Sequence, residues 1–304
     1  NANQTNINSV IGSANYDIGH LFGTGGGGVA QLGSVCGSGK ARGLTGSGNP
    51  VGDAFDVDYV AHEIGHQFNG RHTFNGSGGN CSGGNRSGPA AFEPGSGITI
   101  QAYAGICGAD NLQPNSEDYF HRFSLNEILA FVDSGGGSTC DVATATGNGV
   151  PAVTSPGNFR IPRSTPFQLT ASGSDPNGDS LSYLWEQFDL PLTANPAGVI
   201  SDVDNRPLFR SFDPTPSPTR IFPSLRFILA DNASVAPATA PLPGTTSPNW
   251  LTAEVLPSTA RTMNFTVTVR DNRAGGGGTN EALSQVTVEP AAGPFLVTAP
   301  GTAV

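Results

Sequence analysis

The stretch His62–His72, HEIGHQFNGRH, limits what this chain can fold into more than any other. His62 and His66 are four residues apart, so on a helix they lie one turn apart on the same face. Two imidazoles so placed can reach one metal ion, and Glu63, beside His62, can point at the same spot. Gly70 permits a sharp turn, because glycine takes positive φ without strain. His72, just past that turn, can swing back and supply a third nitrogen. Three neutral imidazoles with one open position are the donor set of a catalytic zinc, whereas a structural zinc fills its fourth position with protein. Two histidines at helical spacing arise by chance, but the glutamate, the glycine and the third histidine at these offsets form a far narrower pattern.

At 304 residues the chain has room for two domains of ordinary size. Charged residues make up only 12%, and the net charge of −10 argues against nucleic acid or an anionic membrane as partner. No apolar run approaches the roughly 20 residues of a membrane span. The cysteines Cys36, Cys81, Cys107 and Cys140 are an even set without a C-x-x-C pair. That excludes a zinc ribbon and a thioredoxin-type site, and it points to two disulfides in an exported protein, with three pairings open.

HEIGHQFNGRH resembles the long zinc signature of the metzincin metallopeptidases, the clan of the astacins, serralysins, reprolysins and matrix metalloproteases. The resemblance implies that His62, His66 and His72 bind Zn2+ and that Glu63 is the general base for a water held on the zinc. It implies a secreted, extracellular endopeptidase acting on protein or peptide substrates. In this clan a turn reading S/T-I-M-x-Y runs beneath the zinc, and the matching residues are Thr99, Ile100, Gln101, Ala102 and Tyr103. Gln101 thus stands where the clan has methionine, and the chain's one methionine is the distant Met263. Tyr103 is, by resemblance, a phenol near the zinc that stabilises developing charge; its other reading is a packed core tyrosine. The way reprolysin-like domains are stapled favours Cys36–Cys140 and Cys81–Cys107. The clan also places an antiparallel strand along the rim of the cleft, where a peptide adds as a further strand. Tyr16–Phe22 and Val29–Val35 are the candidates, separated by the loop Gly23–Gly28.

The zinc helix is expected to start near Asp53, with Asp53 and Asp56 as N-cap and acidic first turn. Val57, Val60, Ile64 and Phe68 recur at helical spacing as its buried stripe. Ser124-Leu-Asn-Glu127 reads as a capping box opening a helix that runs to about Asp133. His121, just before it, is read as a surface or structural residue. By that resemblance, residues 1–145 are expected to form an α+β metzincin-like catalytic domain. Only 61 residues precede His62, few for this clan, so the domain reads as N-terminally incomplete.

Beyond a small-residue linker the pattern becomes short alternating runs: Phe167–Thr170, Leu181–Gln187, Arg226–Leu229, Met263–Arg270 and Leu283–Glu289. Period-two alternation broken by turn clusters predicts an all-β antiparallel sandwich over 146–292. Asp175–Asp179 followed by Leu181, Tyr183 and Trp185 resembles immunoglobulin-like and cadherin-like extracellular modules, which leaves a cell-surface or matrix contact open. Asp175 and Asp179 could bind Ca2+, which takes carboxylate oxygens; a polar hairpin turn is the plainer reading. Trp185 and Trp250 read as core. Residues 293–304 read as a tail or the start of a further module. The competing function is a non-catalytic structural or adhesive protein that retains a zinc site.

Overall fold

The computed structural model describes residues 2–191, 202, 204–229 and 253–295. It is mixed α+β with several sheets. Helix α1 (Ala2–Val10) leads to three short strands, β1 (His20–Gly23), β2 (Gly27–Ala30) and β3 (Gly43–Gly46). β1 pairs parallel to β3, and β2 pairs antiparallel on its other side, so β2 is an edge. The central strand β3 went unread in the sequence because GLTG is short and half glycine.

A helical run follows: α2 (Asp53–Phe55), a π-helical segment (Asp56–Ala61) and α3 (His62–Gln67). Two expectations fail here. Gly52 is the N-cap and no side chain caps the helix, although Asp53 does lie in the first turn. Val57, Val60, Ile64 and Phe68 are only half-buried, while His62, Glu63, Gly65 and Gln67 form the buried side. The π segment explains the slip. Its wider turn shifts the phase, so residues spaced for 3.6 per turn do not fall on one line. Gln67 fastens the run to the sheet, donating to Gly19 O at 3.1 Å and Lys40 O at 3.2 Å and meeting His20 Nδ1 at 2.7 Å.

Helix α4 (Arg122–Asp133) is capped by His121, whose Nδ1 accepts from Phe123 N at 3.1 Å. The capping box fails by one turn. Ser124 lies inside the helix with its hydroxyl buried, and Glu127 instead receives Arg71 Nε at 2.5 Å. The two disulfides are those the resemblance implied, Cys36–Cys140 and Cys81–Cys107, with Cα–Cα separations of 5.5 and 5.1 Å.

The remainder is rich in strands. β4 (Ala152–Thr154) pairs β7 (Ser172–Ser174), and β6 (Phe167–Thr170) pairs β9 (Thr219–Phe222). β5 (Phe159–Pro162), β11 (Thr279–Glu289), β10 (Thr262–Arg270) and β8 (Ser182–Gln187) form one sheet in that order. The wholly antiparallel expectation is corrected, because β5 runs parallel to β11. β5 ends in Pro162 and lies at the sheet edge, where a missing N–H breaks no ladder. Arg226–Leu229, expected as a strand, belongs to a short helix, α5 (Leu225–Leu229). So short an apolar run does not distinguish helix from strand by periodicity. Asp175 Oδ1 accepts from the backbone of Asn177 and Asp179, closing a polar turn, and Asp179 lies 3.3 Å from Arg273. Trp185 is buried and donates to Pro218 O at 2.9 Å. Trp250 and residues 296–304 lie outside the described residues.

One apolar core joins this region to the segment below the histidines. Met263, Phe265 and Val267 of β10 pack in the same cluster as Ile98, Leu112 and Tyr119. Tyr119 Oη meets Ser211 Oγ at 2.7 Å, and Arg122 N donates to Glu186 at 2.9 Å. Among the described residues no helix is long and apolar enough to cross a membrane.

Candidate metal centre

His62 and His66 leave α3 on the same side, one turn apart, as their spacing requires. The chain then reverses, but not where expected. Gly70 is not in the left-handed region; Asn69 is, at φ 75°. Asparagine tolerates that conformation better than most residues. Gly70 is needed for closeness instead, since a Cβ there would come within 3.1 Å of Gly65 O. The reversal returns His72 to the other two rings.

The three Nε2 atoms converge: His62 to His72 3.2 Å, His66 to His62 3.0 Å and His66 to His72 3.0 Å. Each opposite nitrogen has a backbone carbonyl. His62 Nδ1 donates to Ile100 O at 2.7 Å, His66 Nδ1 to Gly70 O at 2.6 Å and His72 Nδ1 to Asn85 O at 2.5 Å. A carbonyl only accepts, so all three protons sit on Nδ1 and three Nε2 lone pairs face one another. Burial keeps the rings neutral. It lowers His62 well below the usual range, lowers His66, and, with His66 nearby, lowers His72 to about 4. Three Nε2 atoms converging at this spacing could hold a metal ion, and the donor set suits zinc. Among the described residues this is the one group of its kind that could hold a metal.

Glu63 is buried beside the histidines, at 7% exposure, and burial raises its carboxyl to about 7. The edge strand passes directly over it, and a Cβ on Gly28 would fall 2.3 Å from Glu63 Oε1. A side chain at Gly28 would displace the Glu63 carboxylate from this position. Tyr103 comes to the same place, its ring centroid 4.5 Å from that of His72 and 5.5 Å from that of His62. Burial, then the Glu63 carboxylate, push its phenol up to about 12.

A family model described as metallo-peptidase family M12B, reprolysin-like, matches residues 1–73. That match and the histidine triad fit a metzincin-like zinc peptidase. No curated protein and no solved structure gives a match. The matched stretch ends just after the third histidine, so Tyr103 and the turn beneath the site lie beyond it.

Several supporting residues went unread in the sequence. Glu93 is buried and accepts from Ile98 N at 2.8 Å, Thr99 Oγ1 at 2.6 Å and the Thr73 hydroxyl. It thereby ties the turn under the histidines to the segment leaving His72. Asn85 contributes only a carbonyl, and Cys81–Cys107 pins the loop that bears it. A carboxylate among glycines and a backbone oxygen leave no readable motif. Gln101, at the methionine position, donates to Gly70 O at 3.1 Å while its Oε1 is buried without a partner among the described residues.

Two hollows flank the site. One, of about 420 Å³, is lined by Gly27, Gly28, Asp58, Glu63, Tyr103 and Ser116 among others. The other, of about 490 Å³, lies past the opposite end of β2 and includes Ala30, Leu32, His72 and Arg86.

Proposed function

We propose that this chain is a secreted zinc endopeptidase, with His62, His66 and His72 as metal ligands, Glu63 as general base and Tyr103 as a donor to the developing oxyanion. The observation that carries the reading is the convergence of three Nε2 lone pairs, each ring oriented by a carbonyl behind it. A zinc ion held there acidifies a water molecule and polarises a carbonyl. Glu63 lines the same hollow as His62 and Tyr103, and in this reading it takes the proton of the attacking water and passes it to the leaving amine. β2 offers its free edge to an extended peptide, which aligns the scissile bond above Glu63. The strand-rich region 146–292 is proposed as an immunoglobulin-like or cadherin-like module, one that shares its apolar core with the segment below the histidines. The disulfides fit an oxidising, extracellular setting.

The test is zinc content by elemental analysis together with cleavage of casein or a quenched peptide. The reading expects about one zinc per chain, cleavage abolished by a chelator and restored by zinc, and Glu63→Gln that keeps the metal but loses turnover. A chain that binds zinc and cuts nothing would instead be a structural or adhesive protein.

A further inference from the structure

The hollow beside Glu63 holds a second carboxylate, Asp58, from the π segment. Ser116 N donates to its Oδ1 at 2.6 Å, and the Asn115 amide, nitrogen inward, donates to Oδ2 at 3.0 Å. The Ser116 side chain also bonds this carboxylate, and since a carboxylate has about four acceptor sites, one remains. Among the described residues no Lys or Arg forms an ion pair with it. The walls are small, with Gly27, Gly28, Ala54, Ala102 and Ala104 leaving room for a long side chain. An apolar wall over a carboxylate suits Arg or Lys, which lay a hydrocarbon stem along one and bring charge to the other.

The sheet gives the direction. β2 runs from the Asp58 hollow toward the hollow with Ala30 and Leu32, and its outer edge is free. A peptide adding antiparallel enters at the Ala30 end and leaves at the Gly27 end. Its residues after the scissile bond then lie in the Asp58 hollow. We infer that Asp58 is a specificity-determining residue that selects a basic side chain, Arg or Lys, immediately C-terminal to the scissile bond. This rests on the peptidase reading.

The test is digestion of an unbiased peptide library by the zinc-loaded chain, with cleavage sites read by mass spectrometry. Arg and Lys are expected just after the cut, favoured over Leu by roughly tenfold or more. Asp58→Asn removes that preference ratio, Asp58→Arg shifts it to Asp and Glu, and Asp58→Glu keeps it. A loop-anchoring role alone would lower all peptides together and leave the ratio fixed. A binding readout stands apart from turnover: zinc-loaded Glu63→Gln should bind an Arg peptide more tightly than its Leu analogue, measured by fluorescence anisotropy. Cleavage without a basic preference at that position, or a preference unchanged in Asp58→Asn, overturns the inference and leaves the peptidase reading standing. No cleavage of any peptide overturns the peptidase reading, and this inference with it.

Discussion

Gln101 donates its side-chain amide to the Gly70 carbonyl at 3.1 Å, the same oxygen that receives the Nδ1 proton of His66 at 2.6 Å. The Gln101 amide thus helps hold the reversal that returns His72. Its other amide atom, Oε1, is buried and unpartnered among the described residues. Gln101→Met removes that unsatisfied oxygen, worth about 1–3 kcal/mol, and gives up one hydrogen bond worth about 1 kcal/mol. Gly70 O keeps its bond from His66, so no new orphan arises. The expected result is a melting temperature higher by about 2–4 °C with zinc content unchanged. A lower melting temperature together with lost zinc would show that the amide itself orients His66.

Tyr103 packs its ring at a tilt among His72, His62 and Phe74, with the Phe74 centroid at 4.7 Å. Tyr103→Phe keeps that packing and removes only the hydroxyl. If the phenol stabilises the oxyanion, kcat falls about 100-fold, while KM, zinc content and melting temperature hold. Steady-state kinetics on a quenched peptide decide the matter. Unchanged kcat assigns Tyr103 to packing alone.

The histidines were legible because metal chemistry fixes their spacing, and β10 was legible because Met263–Arg270 alternates cleanly. The helical run that bears His62 and His66 was misread in its packing face because no local signal announces a π segment at Asp56–Ala61. β3 escaped because a central strand can be built from glycines when its neighbours supply the ladder. Ser124 looked like a cap, yet His121 took that place, since a ring Nδ1 accepts a backbone N–H as well as a hydroxyl does. Glu93 and Asn85 act through backbone groups that long-range folding brings near, and residue order carries no trace of that.

Glu254 is the buried counter-charge of an arginine pair. Arg220 Nη2 meets Glu254 at 2.8 Å, and the buried Arg210 reaches Leu112 O at 3.4 Å and the Gln113 side chain. Those last contacts anchor the segment leading to Pro114–Ser116, which lines the Asp58 hollow. Glu254→Ala strands two buried guanidinium groups and should cost about 3–5 kcal/mol in urea unfolding. Glu289→Ala breaks the exposed pair with Arg160 and should cost no more than about 1 kcal/mol. Equal costs would mean that Arg210 and Arg220 find other partners.

His121 Nε2 lies 3.7 Å from Glu186 Oε1, yet burial works against charge on both. Desolvation lowers His121 to about 3 and raises Glu186 to about 8. The cap bond agrees, because Nδ1 accepts from Phe123 N and so carries no proton. The signs then oppose. Below pH 6.5 the unfolded chain takes a proton that folded His121 refuses, so this residue costs stability as pH falls, by about 1.4 kcal/mol per unit. Above pH 4.5 the unfolded chain sheds a proton that folded Glu186 keeps, so that residue costs stability as pH rises, until about pH 8. Between 4.5 and 6.5 the two slopes cancel. Asparagine caps helices well and does not titrate, so His121→Asn removes only the first slope. The stability of His121→Asn relative to the parent should therefore grow by about 2 kcal/mol as pH falls from 6.5 to 4.5. Urea unfolding of both chains at several pH values across that range measures it. A difference that does not move with pH would mean that His121 is charged inside the fold, paired with an ionised Glu186.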